Sequence, residues 1–288
     1  MNNNLNVKKK RHIAASILIG IWIAIKTIFL VYAVAFTVAA TYLLVKGYYY
    51  FDEAVMKPLN EVKALKENNP EESAYMTQYR KELRDKGESD TLIRKFVPLD
   101  SIPKNLINTV LAVEDDGFYM HPGFSLDAIV EAIEYNKSVN ANKRGASTIT
   151  QQLAKNMFLT PEKSFERKVK ELGYTLLMEK YLGKDRILEL YLNYAQWGKN
   201  IFGCEAATNF YYKKSCKDLT LIESARMAAC LAMPTKLTPH YTKSLYMGKR
   251  ITIIANNMYI RNKLDDAGYM VLTGTYPPGK EEEMEEGN

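Results

Sequence analysis

The longest apolar run of the chain lies near its start. Residues 13–47 are predominantly apolar, and a membrane span needs about 20 such residues. A basic block, Lys8 to Arg11, precedes the run, and the positive-inside rule then places residues 1–12 in the cytoplasm. Aromatic residues from Tyr48 to Phe51 gather at the other end, as at a membrane interface. The pattern predicts one N-terminal transmembrane helix, and a signal peptide cleaved near Ala40 is the alternative.

Beyond a polar segment, 48–95, that we interpret as a stalk, apolar residues recur at helical spacing. Predicted helices begin at Ser101 and Ser125, whose hydroxyls can cap them. The pattern predicts further helices over 148–158, 165–182, 184–194, 220–233 and 251–260. Gly183 is expected to end one helix, and a capping box of Thr220 and Glu223 to begin another. No alternating set of strands is evident, so we expect a mainly α catalytic body over 96–265 and a tail over 266–288.

Composition narrows the class of protein. The 288 residues are 47% hydrophobic and 25% charged, which fits one large folded domain with an anchor and argues against bulk disorder. The net charge is +6, and the chain stays basic when its basic start and its acidic end are set aside. This charge favours an anionic substrate or a membrane surface. The three cysteines lack CxxC spacing, so neither a disulfide framework nor a zinc site is predicted.

The first candidate site is the acidic cluster Glu114-Asp115-Asp116, which aromatic residues and a Gly- and Pro-containing turn follow. A carboxylate at the end of a buried helix is partly desolvated, which raises its proton affinity and suits it to general base catalysis. The alternative is an ordinary solvated acidic loop.

The second candidate site is a Gly-containing loop that enters a helix N-terminus, where free N–H groups favour anions. Gln151 and Lys155 stand four residues apart, as do Gln152 and Asn156, so each pair shares a face of the helix. Two amides and a lysine suit binding of sugar and phosphate, and a capped, solvated helix is the alternative. The candidate binding residues of this segment are Arg144, Ser147, Thr148, Gln151, Gln152, Lys155 and Asn156.

The third candidate site is cationic. Lys163, Arg167 and Lys170 stand at positions i, i+4 and i+7, and Glu171 lies beside them. Three cations near one anion leave positive charge that a pyrophosphate would neutralise, and the carboxylate should stay ionised. A routine surface salt bridge, worth under about 1 kcal/mol, is the alternative.

These blocks, with a fourth from Tyr191 to Gly203 and a fifth from Glu223 to Pro239, resemble the motifs of glycosyltransferase family 51, the peptidoglycan glycosyltransferases. All five occur in the family's order, between about Phe96 and Met258. Gln196, Tyr212 and Thr238 depart from residues that are frequent in the family. The motifs of a transpeptidase are absent from the sequence, so it resembles the monofunctional form.

The resemblance implies a lysozyme-like helical domain with a smaller membrane-proximal lobe. It implies polymerisation of lipid II on the outer face of a bacterial cytoplasmic membrane, with a growing lipid-linked glycan as donor. Glu114 falls on the catalytic base and Glu171 on the second essential glutamate, while Lys155, Lys163, Arg167 and Lys170 fall on the donor-side cations. Glu171 is expected either to hold a divalent cation, Mg²⁺ or Mn²⁺, or to orient those cations. No other cofactor and no nucleic acid is expected, whereas cell-wall synthesis proteins are candidate partners.

Two other functions are weighed against this one. A lytic glycosidase of the same broad fold needs no pyrophosphate site, so the cationic residues argue against it. A non-catalytic membrane scaffold would not need Glu114, Glu171 and the lysines together.

Overall fold

The computed structural model describes residues 2–138, 145–162 and 164–279. The chain divides into two compact units, Met1–Asn60 and Glu61–Asn288. The first unit is dominated by one long helix, α1, Asn2–Phe51, which a π-helical turn, Asp52–Met56, follows. A helical stretch, Ala15–Ala64, is the one in the described residues that is long and apolar enough to cross a membrane. The N-terminal helix therefore fits a single-pass membrane protein.

The second unit is mainly α, as predicted. Its helices are α2, Lys57–Ala64, which leads into it, then α3, Ala74–Asp85; α4, Lys104–Glu114; α5, Leu126–Ser138; α6, Ile149–Phe158; α7, Phe165–Tyr181; α8, Lys184–Tyr194; α9, Cys204–Tyr212; α10, Leu221–Cys230; α11, Leu245–Ile260; and α12, Asp266–Thr273. The core is built where α4 packs against α10 and α11, and where α6 packs against α7 and α8. The C-terminal end of α4 and helix α6 carry much of the candidate site.

Three short strands complete the second unit: β1, Ile93–Arg94; β2, Gln196–Gly198; and β3, Ile201–Phe202. The sheet has the order β1-β3-β2, with β1 parallel and β2 antiparallel to β3. The Asn193 side chain accepts from the backbone N–H of Val97 at 2.9 Å and donates to its carbonyl at 2.8 Å. These bonds fasten the chain after β1 to the end of α8, where the fourth motif lies.

Local signals explain where the helices begin and end. Thr148 and Thr220 each form a complete capping box, the first with Gln151 and the second with Glu223. Helix α8 begins and ends as predicted. Gly183 has φ +78°, a conformation that favours glycine, and it separates α7 from α8.

Several predicted boundaries differ from the structure. Helix α4 begins at Lys104 after Pro103, so Ser101 does not cap it and belongs instead to a preceding 3-10 turn. Proline sets its own φ and has no N–H to lose, which suits the start of a helix. Helix α11 begins at Leu245, six residues earlier than predicted, because the Ser244 hydroxyl accepts from the backbone of Met247.

The segment interpreted as a stalk also differs. The compact unit begins at Glu61, and Val62, Leu65, Met76 and Leu83 from this segment are buried. The Arg186 side chain donates to the carbonyls of Leu65 and Asn68, which ties the segment to α8. These apolar positions are sparse in a polar stretch, so the sequence pattern did not reveal them. The predicted tail likewise contributes α12 and its buried Tyr269 and Leu272.

Candidate active site

Glu114 is the last residue of α4 and lies at the centre of the candidate site. Its Oε1 pairs with the Arg250 guanidinium of α11 at 2.9 Å, and its Oε2 accepts from the Gln152 amide of α6 at 3.1 Å. The carboxylate side chain is only 14% exposed. Burial raises the pKa of the Glu114 carboxyl above its usual range, while Arg250 and Gln152 act in the opposite direction. Glu114 is therefore more basic than an ordinary carboxylate. Its ionised form is still stabilised by Arg250 and Gln152.

Asp115 and His121 fix the loop that follows Glu114. Asp115 accepts from the His121 ring at 2.8 Å and from the backbone N–H of Ile149, at the start of α6, at 2.9 Å. The His121 Nδ1 accepts from the backbone of Gly123 at 3.2 Å, so its Nε2 carries the hydrogen that is donated to Asp115. The Thr148 hydroxyl donates to the Gly123 carbonyl at 2.6 Å. This network joins the first sequence motif to the second.

The residues of the second motif have two kinds of position on and before α6. Some support the helix, and others lie at Glu114 or at the cavity. Gln151 is buried and closes the capping box with Thr148, so it supports the helix. Gln152 contacts Glu114, and Lys155 and Asn156 lie on the cavity described below. Ser147 contributes its carbonyl, which lies 3.5 Å from the Gln152 amide nitrogen. Arg144 lies outside the described residues.

Helix α7 surrounds Glu171 with positive charge. Glu171 is buried, and its two oxygens pair with Arg167, at 2.9 Å, and with Lys168. The Nε of Arg167 is buried and has no hydrogen-bond partner among the described residues. Lys170 instead forms an exposed ion pair with Glu166 at 2.8 Å. The fourth predicted cation, Lys163, lies outside the described residues.

A cavity of about 370 Å³ brings the second and third motifs together. The pKa of its Lys155 is lowered by desolvation, although the residue keeps more than a third of its surface exposed, and Glu171 opposes that effect. The cavity thus combines amides with cations that can receive a charged, oxygen-rich ligand. Its polar lining includes Tyr75, Gln152, Lys155, Asn156, Arg167 and Gln196.

The surroundings of Glu171 bear on its two expected roles, which are to hold a divalent cation or to orient the neighbouring cations. Both of its oxygens are engaged by cations, and the described residues contain no group of three or more His, Cys, Asp or Glu side chains placed to hold a metal. Of the two roles expected for Glu171, orienting the neighbouring cations is the one that agrees with these contacts.

Sequence reasoning missed two cations and one tyrosine of the site. Arg250 is 136 residues away from Glu114 in the chain, and nothing in the local pattern of α11 sets it apart. Lys168 lies three residues from Glu171, and this spacing could have identified it. The Tyr191 hydroxyl donates to the Gln152 carbonyl oxygen at 3.3 Å and so orients the amide toward Glu114.

The site thus combines a largely buried carboxylate with a cationic cavity on a mainly helical fold. The chain belongs to the transglycosylase family, whose model matches residues 81–259. It is 40% identical to the biosynthetic peptidoglycan transglycosylase of Paraburkholderia phytofirmans over 190 residues, which cover 66% of this chain and 79% of the relative. It is 41% identical to the protein of the same description from Thiobacillus denitrificans over 192 residues, 67% of this chain and 82% of the relative.

Penicillin-binding protein 1A from Haemophilus influenzae is among the solved structures that the chain resembles. The likeness has a TM-score of 0.35 and 20% identity, and covers 64% of this chain and 18% of that one.

Proposed function

We propose that this protein polymerises lipid II into linear peptidoglycan strands, with a growing lipid-linked glycan as donor. The observation that carries the proposal is the position of Glu114, which lies largely buried between Arg250 and Gln152. Gln152 also lines the cavity that contains Lys155 and Arg167. A general base and a cationic site for a leaving group are thereby joined through one helix, α6.

In the proposed reaction, Glu114 removes the proton from the 4-hydroxyl of the acceptor sugar. The freed oxygen attacks the anomeric carbon of the donor and forms a β-1,4 bond. The bond from that carbon to phosphate breaks, and its electron pair leaves with undecaprenyl pyrophosphate. The α-linkage of the donor becomes β, so the reaction inverts configuration.

Lys155 and Arg167 would stabilise the developing charge on the leaving pyrophosphate. The family resemblance assigns the same role to Lys163 and Lys170. The unpartnered Nε of Arg167 supports this role because it is a donor without an acceptor in the described part of the chain. Glu171 holds Arg167 and Lys168 in place. The requirement for a divalent cation is measured by titrating Mg²⁺ and a chelator into the assay.

Localisation follows from the same proposal. The N-terminal helix would anchor the chain in the bacterial cytoplasmic membrane with its N-terminus inside, so that the catalytic unit meets lipid II on the outer face. Exposed apolar side chains on α5 and α7 support contact with lipid: Leu126, Val130, Ile133, Phe165, Val169 and Leu176. Cell-wall synthesis proteins are the expected partners.

The decisive experiment is incubation of the purified full-length protein with labelled lipid II, with the products separated by size. The wild-type protein should give long glycan strands, and Glu114→Gln should give none, because an amide of the same shape cannot accept the proton. Asp116→Asn is the matched control, since this neighbouring acid forms an exposed ion pair with Arg261. Normal turnover by a well-folded Glu114→Gln protein would remove Glu114 from the mechanism.

A further inference from the structure

Gln196 lines the active-site cavity, and its amide nitrogen is without a hydrogen-bond partner among the described residues. The residue begins β2 and is only 8% exposed, and it is among the residues that line the cavity beside Lys155 and Arg167. Its Nε2 is buried and has no hydrogen-bond partner in the described part of the chain. A buried amide nitrogen without a partner is costly, so a group that supplies an acceptor would relieve the cost on binding.

The orientation of this amide is set by Tyr75. The Tyr75 hydroxyl donates to the Gln196 Oε1 at 3.0 Å, so the carbonyl oxygen is occupied and the nitrogen is the amide atom that has no partner among the described residues. The Tyr75 ring is itself held, stacked on Tyr79 at 6.1 Å and edge-on to the buried Phe202 at 6.1 Å. Tyr75 lies on α3 and precedes the region, 81–259, that the family model matches.

We infer that Gln196, oriented by Tyr75, binds an uncharged saccharide oxygen of the lipid-linked glycan, a hydroxyl or an acetamido carbonyl. The inference rests on the proposed function for the identity of that ligand. Lys155 and Arg167 supply the charge that phosphate needs, whereas the amide of Gln196 adds a donor without charge and therefore matches a neutral acceptor. Tyr75 is then a positioning residue, because it acts on the ligand through Gln196.

The test measures lipid II affinity in a Glu114→Gln background, where no turnover occurs. Adding Gln196→Met removes the donor at similar length and should weaken binding about tenfold. Gln196→Glu has the same shape and still accepts from Tyr75, but it has no N–H, so it should weaken binding as well. Wild-type affinity in the Glu variant would mean that an acceptor faces the ligand, and would overturn the assignment of the donor.

The role of Tyr75 is tested by a double-mutant cycle. Tyr75→Phe should weaken lipid II binding, and combining it with Gln196→Met should add nothing further, because both act through the same contact. Tyr79→Phe is the matched control, since it removes a similar hydroxyl one turn along α3, whose bond goes to Asn200 at 3.1 Å. Additive effects of Tyr75→Phe and Gln196→Met would contradict the positioning role.

The inference and the proposed function fail in different ways. If the wild-type protein does not polymerise labelled lipid II, the proposed function fails. If it does, and Gln196→Met keeps wild-type affinity and a wild-type KM, only the role of Gln196 is overturned. Thermal melting of each variant separates lost binding from lost folding, and a merely structural Gln196 would lower the melting temperature without changing affinity in the folded protein.

Discussion

Two opposing effects act on Glu114, and their balance sets the pH at which it can work. Burial raises the pKa of its carboxyl, and the Arg250 guanidinium at 2.9 Å counteracts this by favouring the ionised form. A general base must be ionised to accept a proton, so activity should fall as the pH drops through this raised pKa.

Replacing Arg250 should therefore move the acidic limb of the pH profile. Arg250→Gln removes the cation that lowers the pKa of Glu114, so the pKa rises further and the acidic limb of kcat/KM shifts to higher pH. Turnover should recover when the assay is made more alkaline. Arg261→Gln is the control on the same segment, because Arg261 pairs with the exposed Asp116. An unshifted limb in Arg250→Gln would show that Arg250 does not influence the base.

The cations of the site should differ in importance. Lys155 lines the cavity, whereas Lys170 is engaged in an exposed pair with Glu166. Lys155→Ala should raise the barrier to turnover by about 2–4 kcal/mol, more than it weakens lipid II binding, because its charge acts on the leaving group. Lys170→Ala should cost less. Turnover and lipid binding of the two variants are the measurements, and a larger loss in Lys170→Ala would reverse the assignment.

At the scale of elements, the two capping boxes offer a matched comparison. Thr148→Ala and Thr220→Ala should each cost about 0.5–2 kcal/mol of stability, measured by thermal melting. Only Thr148→Ala should also lower turnover, because α6 carries Gln152 and Lys155 whereas α10 carries no predicted site residue. Equal loss of turnover in both variants would indicate a general effect of stability.

Elements with strong local signals could be predicted from the sequence, and those that depend on distant contacts could not. Helix α8 was found because Gly183 precedes it and apolar residues recur through it. The sheet was missed because strands of two or three residues show no alternation, and β1 pairs with a segment about 100 residues away. Glu114 and Lys155 were found through motifs, whereas Arg250 is brought to the site by the packing of α11 on α4.

At the scale of the whole molecule, the orientation of the chain in the membrane can be tested directly. The native cysteines 204, 216 and 230 are all buried, which keeps the background of a labelling experiment low. A membrane-impermeant thiol reagent applied to intact cells should label Ser89→Cys, at an exposed site, but not Asn4→Cys. Both should be labelled after the cells are broken. Labelling of Asn4→Cys alone in intact cells would overturn the proposed orientation.

The contacts around α6 form a closed ring with consequences for how the enzyme can be inactivated. From Glu114 the ring passes through the peptide bond to Asp115, then to the first N–H of α6, along the helix to Gln152 and back to Glu114. A local opening of this ten-residue helix would release the base and Lys155 at the same moment. Hydrogen exchange at α6 should therefore report the fraction of catalytically competent molecules. A compound that traps the opened helix would inhibit without having to occupy the cavity itself.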